Sequence, residues 1–213
     1  MVLCVCLVCV SIYMSNRLLT YIPICRYITS VCVLDYDTIG ATDKFGNVFV
    51  LRLPSHITDD KCDTPAGATN RALWEQNNVN GAPNKLEIMA HYHLGEMCTS
   101  ITLSNLVLGG PKVMLVATVM GGVYAFLPFI SKEDADFFTH LEMFMRQERV
   151  TLVHRDHLSY RSYYSPVKHV IDGDICELYS SLNSSKQLEM ASDVDRTPNE
   201  IMKKLEDMRN ILM

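Results

Sequence analysis

"KLEIMAHYHLGEMCTSITLSNLVLGGPKVMLVATVMGGVYAFLPF", residues 85–129, is the stretch whose reading decides the fold class. Four apolar segments rich in Val, Ile, Leu and Thr, at 85–93, 97–107, 112–119 and 122–129, are separated by Gly95, Gly109-Gly110 and Gly121-Gly122. Glycine accepts positive φ without a steric penalty, so each Gly position marks a chain reversal between strands. The expectation is a four-stranded antiparallel meander. Repeated meanders with a glycine turn at every reversal are what a β-propeller blade looks like in one dimension. His91 and His93 share one face of the first strand, but with Glu96 they do not fill a tetrahedral metal shell, so they are expected to pack as ordinary histidines.

Upstream, "RYITSVCVLDYDTIGATDKFGNVFVLRLP" (26–54) predicts three short strands with turns at Asp35–Thr38 and Lys44–Asn47. Gly46 and Asn47 tolerate the turn, and Val48, Val50, Leu51 and Leu53 suit a largely buried strand. Asp35, Asp37 and Asp43 fail as a calcium loop, because counting from Asp35 gives Gly40 at the sixth place but Gly46, not Glu, at the twelfth. They are expected to be turn aspartates. Residues 54–84, rich in Pro, Gly, Asn and Asp, predict a long loop with a helical turn near Arg71–Gln76 and Trp74 pinned to its own domain.

From Ser131 the apolar period becomes helical. Ser131 to Asp134 resembles a capping box ahead of Phe137, Phe138, Leu141, Phe144 and Met145, and the helix is expected to end near Arg149. A second helix is expected to start at Asp172 and to bury Ile175, Leu178, Tyr179 and Leu182. Thr197-Pro198-Asn199-Glu200 writes a third, with a cap, a first-turn proline and a returning Glu before Ile201, Leu205, Met208 and Leu212. The fold class is therefore β first, then α. The organisation expected is an apolar extension at 1–25, a partial β-propeller at 26–130 and a small helical C-terminal domain at 131–213.

Composition narrows function. The chain has 213 residues, 48% hydrophobic and 20% charged, with a formal charge of −5. Nonspecific nucleic-acid affinity comes from clustered Lys and Arg, so an acidic balance argues against a general phosphate-binding surface. Five of eight cysteines crowd the first 32 residues and the rest lie singly, so free thiols in a reducing compartment are expected rather than a disulfide framework. Met1 to Val10 is apolar, yet it has no basic n-region and is too short to span a bilayer. Val and Leu fill the gaps between Cys4, Cys6 and Cys9 where a zinc knuckle needs turn residues.

His154-Arg155-Asp156 has the letters of a protein-kinase catalytic loop. The kinase Asp works with an Asn several residues on and a downstream Asp-Phe-Gly. Position 161 is Arg, and neither partner is present. No constellation here supports an enzyme, a metal or a cofactor. The roughly seven strands make fewer than two blades, whereas propellers close with about 4 to 8, so the chain is expected to be the tail of something longer.

Four stretches, "LDYDTIGATDKFGNVFVLRLP" (34–54), "HYHLGE" (91–96), "RDHLSYRSYYSPVKHVIDGDICELY" (155–179) and "DRTPNEIMKKLEDMRN" (195–210), resemble the C-terminal end of the splicing factor 3b subunit 3 family. The resemblance runs from about Arg26 nearly to the end. That family is grouped with the large subunits of damaged-DNA-binding protein and of cleavage and polyadenylation specificity factor, which share a version of "IDGD" but differ at "RDHLSYRSYY". The resemblance implies the last blades of a β-propeller and a helical C-terminal domain of a nuclear, non-catalytic scaffold with no cofactor. The partners implied are the helical-repeat subunit and small subunits of the splicing factor 3b complex, within the U2 small nuclear ribonucleoprotein that engages the branch site in pre-mRNA splicing. No membrane partner is implied.

On that reading the connector around Arg155 and Asp156 is structural. Arg161 and Asp172 supply hydrogen bonds that tie it down, Tyr160, Tyr163 and Tyr164 bury rings against helices or blade, and Gly173 and Asp174 complete the candidate interface set. Two alternatives stay open. Arg146, Arg149, Arg155, Arg161 and Lys168 among tyrosines can contact single-stranded RNA, and kinship with damaged-DNA-binding protein allows a ubiquitin-ligase adaptor.

Overall fold

The computed structural model describes residues 27–54, 84–148, 155–163 and 165–212, together with the strand residues 13–14, 17–18 and 20–21. The expected apolar run at 1–10, the helical turn at 71–76 and Trp74 lie outside the described residues, as do His154 and Tyr164. The short pieces are a hairpin of Tyr13–Met14 with Arg17–Leu18 and a parallel contact of Thr20–Tyr21 with Asn84–Lys85.

Two antiparallel sheets precede a set of helices. The first sheet comprises β1 (Ile28–Val33), β2 (Thr38–Asp43), β3 (Asn47–Arg52) and β4 (Glu87–His93), in the spatial order β1-β2-β3-β4. The second comprises β5 (Cys98–Asn105), β6 (Lys112–Thr118) and β7 (Val123–Phe126), in sequential order. The four segments of 85–129 therefore do not form one meander. The first of them, β4, crosses the long loop to pair with β3, and only the other three stay together. The cause is side-chain matching across the pair. Val48 lies opposite Tyr92 on one face and Phe49 stacks on His91 on the other, so large side chains meet on both faces.

Both faces of the first sheet carry apolar side chains, because β3 places them on alternate sides without a polar face. Val48 and Val50 point into a core with Tyr92, Leu94, Cys98, Ile101, Met114 and Val116, whereas Phe49 and Leu51 join Ile39, Ala41 and Leu86. The first core lies between the sheets. A Cβ on Gly40 would stand 2.8 Å from Met114 Sδ, so glycine is what lets the sheets approach there. The Ile101 amide also donates to Ser30 Oγ at 3.2 Å, joining β5 to β1.

Turn chemistry fixes the register. The buried Asp43 carboxylate accepts from the amides of Phe45 (2.9 Å) and Asn47 (2.8 Å) and from Asn47 Nδ2 (2.7 Å). Asp43 is thus a turn aspartate, as expected.

The helices are α1 (Lys132–Glu148), α2 (His157–Arg161), α3 (Gly173–Glu177), α4 (Ser184–Asp193) and α5 (Pro198–Leu212), with a 3₁₀ turn at Leu178–Ser181. Thr197 and Glu200 make the expected reciprocal cap. The Thr197 amide donates to Glu200 Oε2 at 2.9 Å, and the Glu200 amide donates to Thr197 Oγ1 at 3.4 Å. Phe137, Phe138, Leu141, Met145, Cys176, Tyr179, Met190, Ala191, Ile201 and Leu205 form a separate helical core. Leu178 is exposed, contrary to expectation, because the chain tightens to 3₁₀ there and presents Cys176 and Tyr179 inward instead. Helix α4 and the short α2 were not expected. No helix among the described residues is long and apolar enough to cross a membrane.

Candidate functional site: the Asp172 junction

The segment 155–172 runs along the outer edge of β4 and closes it. His91 and Lys168 exchange both main-chain hydrogen bonds, at 3.0 and 3.1 Å. Lys168 Nζ donates to the Ile88 carbonyl (2.6 Å), and His169 Nδ1 lies 2.9 Å from the Met89 carbonyl. Arg161 Nη1 donates to the carbonyls of His93 (3.2 Å) and Leu94 (3.1 Å). An edge that would otherwise offer free carbonyls to another strand is thereby occupied. Val167 and Val170 add apolar contacts to the core between the sheets.

Asp172 is the centre of this closure. Its Oδ2 accepts from Tyr92 Oη at 2.6 Å, stands 3.0 Å from His157 Nε2 and 3.4 Å from Arg161 Nη2, while Oδ1 accepts the Asp174 amide at 3.1 Å and so caps α3. One buried carboxylate thus joins β4, α2 and α3. Burial alone would raise its pKa, but the hydrogen bonds from His157 and Tyr92 and the Arg161 charge outweigh burial and hold it well below the usual carboxylate range. Burial, reinforced by the Asp172 charge, pushes the Tyr92 phenol far upward, so the hydroxyl remains a donor. Arg161 is sandwiched, with Cζ 4.9 Å from the Tyr92 ring centroid and 5.3 Å from that of Tyr160.

Neighbouring groups complete the electrostatics. Burial raises Glu142 on α1, against the opposing pull of Arg146. Burial and the Arg161 charge lower His93, whose Nδ1 lies 3.0 Å from Asn47 Oδ1 and whose ring stacks on Tyr163 at 5.0 Å. His91 stacks on Phe49 at 6.1 Å. Among the described residues no group of three His, Cys, Asp or Glu side chains could hold a metal ion. The Cys98 thiol is pushed up to about 12, chiefly by burial, which makes it a poor nucleophile.

Of the residues singled out from sequence, Arg161, Asp172 and Asp174 converge here. Gly173 begins α3, and a Cβ on it would meet nothing within 4 Å. Asp156 precedes α2 without a side-chain cap and, like Arg155, is exposed. Tyr163 is 61% exposed. It is not buried as expected, because only one face of its ring rests on His93. Tyr92 and His157 were missed. Nothing in the alternation of "HYH" separates a core tyrosine from one that donates to a carboxylate 80 residues away.

These contacts join a strand edge to the helices that follow it. Residues 24–181 match the CPSF A subunit region, and the chain belongs to that family. It is 50% identical over 184 residues to splicing factor 3B subunit 3 of Danio rerio and of Drosophila melanogaster, which covers 86% of this chain and 15% of each relative. It is also 44% identical over 198 residues to spliceosome-associated protein 130 A of Arabidopsis thaliana, covering 92% of this chain and 16% of that protein. The chain therefore spans less than a fifth of the length of these curated relatives. The resemblance drawn from the sequence is to the same proteins.

Proposed function

We propose that this chain is part of a non-catalytic interaction scaffold of the splicing factor 3b complex, acting in pre-mRNA splicing in the nucleus. The observation that carries the reading is the 50% identity, over most of the chain, to proteins named splicing factor 3B subunit 3. The two antiparallel sheets, joined through β1 and β5, represent the last blades of a propeller, and 131–213 is its helical C-terminal domain. Residues 1–25 are an apolar extension of that unit. The partners are the helical-repeat subunit and small subunits of the complex, within the U2 small nuclear ribonucleoprotein. The Asp172 junction supports a scaffolding role because its charged groups are spent on holding β4, α2 and α3 together.

The test is reconstitution. The chain is coexpressed with the preceding propeller portion of a splicing factor 3B subunit 3 relative and offered the helical-repeat subunit and, separately, a cullin. Coelution with the helical-repeat subunit is expected. Coelution with the cullin alone, or single-stranded RNA binding that falls steeply with salt in the absence of any protein partner, would overturn it.

A further inference from the structure

Three Ser/Thr-Pro dipeptides occur in the chain: Thr64-Pro65, Ser165-Pro166 and Thr197-Pro198. Proline-directed serine/threonine kinases select Pro after the acceptor because it has no N–H to leave unsatisfied in an apolar pocket. A cation three residues after the acceptor is their second determinant. Gly67 and Glu200 occupy that place after Thr64 and Thr197, and only Ser165 is followed by a base, Lys168.

The structure separates the two described sites further. Thr197 caps α5, and drawing it out as an extended segment would fray the first turn of that helix. Ser165 lies in the irregular strap between α2 and α3, half-buried, with Pro166 and Lys168 exposed. Such a strap can enter a kinase cleft as an extended segment without unwinding a helix. Among the described residues the strand pairing it gives up is the bridge of Lys168 with His91, together with the side-chain contacts of Lys168 and His169 to β4.

We propose that Ser165 is a phosphorylation site for proline-directed serine/threonine kinases, and that phosphate there releases the strap from the outer edge of β4. In the transfer, Ser165 Oγ attacks the γ-phosphorus of a magnesium-bound nucleoside triphosphate. The new O–P bond forms as the bond from that phosphorus to the β–γ bridging oxygen breaks. Nucleoside diphosphate departs, and the hydroxyl proton passes to the kinase's catalytic carboxylate.

The product places a charge of about −1.5 to −2 within three residues of Lys168. That ammonium is held on the Ile88 carbonyl at 2.6 Å. Drawn to the phosphate instead, it leaves this anchor, and the adjoining main-chain pair with His91 loses its support. Val167, two residues from the phosphate, sits against the core between the sheets, where a charge is costly to bring close.

The full chain is incubated with a proline-directed kinase and magnesium-ATP, and phosphate is mapped by peptide mass spectrometry. Phosphate is expected on Ser165 and not on Thr197. Pro166→Ala is expected to abolish it and Lys168→Ala to slow it about tenfold. Amide exchange at His91 is expected to rise about tenfold in the phosphorylated chain relative to the unmodified one. Absence of phosphate at Ser165, or equal labelling of the Pro166→Ala chain, would overturn the site. Unchanged exchange at His91 in the phosphorylated chain would overturn the release.

Discussion

Replacing Asp172 by Asn keeps the shape of the junction and removes its charge. Three donors from Tyr92, His157 and Arg161 then face one neutral side chain whose oxygen cannot serve both them and the Asp174 amide. Removing one partner of a buried ion pair costs about 3–5 kcal/mol. Arg161 retains the carbonyls of His93 and Leu94, which lowers the figure to about 2–3 kcal/mol here. The two cores carry their own reporters, since Cys98 lies between the sheets and Cys176 in the helical core, both buried. In pulse thiol labelling resolved by peptide, each thiol reacts only when its core opens. A loss of about 2–3 kcal/mol accelerates labelling of Cys176 roughly 30- to 160-fold. Tyr92→Phe added to Asp172→Asn should add little, because the two groups act on the same bond. A change below about threefold at Cys176 in Asp172→Asn would show that the carboxylate does not hold the junction together.

Asp172 is held below its ordinary pKa, so its contribution to stability is fully present above the unfolded value of about 3.9 and is lost as pH falls through the folded value. The difference in unfolding free energy between the native chain and Asp172→Asn, followed by urea titration, should therefore be flat near neutrality and shrink below about pH 4. Glu142, raised by burial, has the opposite sign and makes the fall of total stability in acid shallower than that difference alone. Gly46→Ala should destabilise by at least about 2 kcal/mol, since φ is +83° and its Cβ would lie 2.5 Å from the Glu96 carbonyl oxygen. Gly121→Ala, with φ +89° and nothing within 4 Å, should cost only the backbone strain, about 1 kcal/mol. Labelling of Cys98 measures both, and equal costs would refute the clash at Gly46.

Local chemistry was legible where a residue acts on its own neighbours. The Asp43 turn, the positive φ at Gly46, Gly95, Gly109 and Gly121, and the Thr197–Glu200 cap all follow from residues within four positions of one another. Helix α4 was illegible for the same reason in reverse. Of its residues only Met190 and Ala191 are buried while Leu188 is 61% exposed, so its apolar stripe is too thin to show a helical period.

Pairing between distant segments has no such local signal. Periodicity shows that 85–93 is a strand but not whether its neighbour is Cys98–Asn105, five residues on, or Asn47–Arg52, across the long loop. Only the cross-strand fit of Val48 with Tyr92 and Phe49 with His91 decides that. The same pairing turns the other edge of β4 outward and leaves Tyr92 where its hydroxyl reaches Asp172. Arg161 and Asp172 are legible in the sequence as groups able to tie the connector down by hydrogen bonds, and Asp172 also as a helix cap. Tyr92 becomes part of the site only through the sheet order, so the donor that could not be read is the one that depends on which strand lies beside β3.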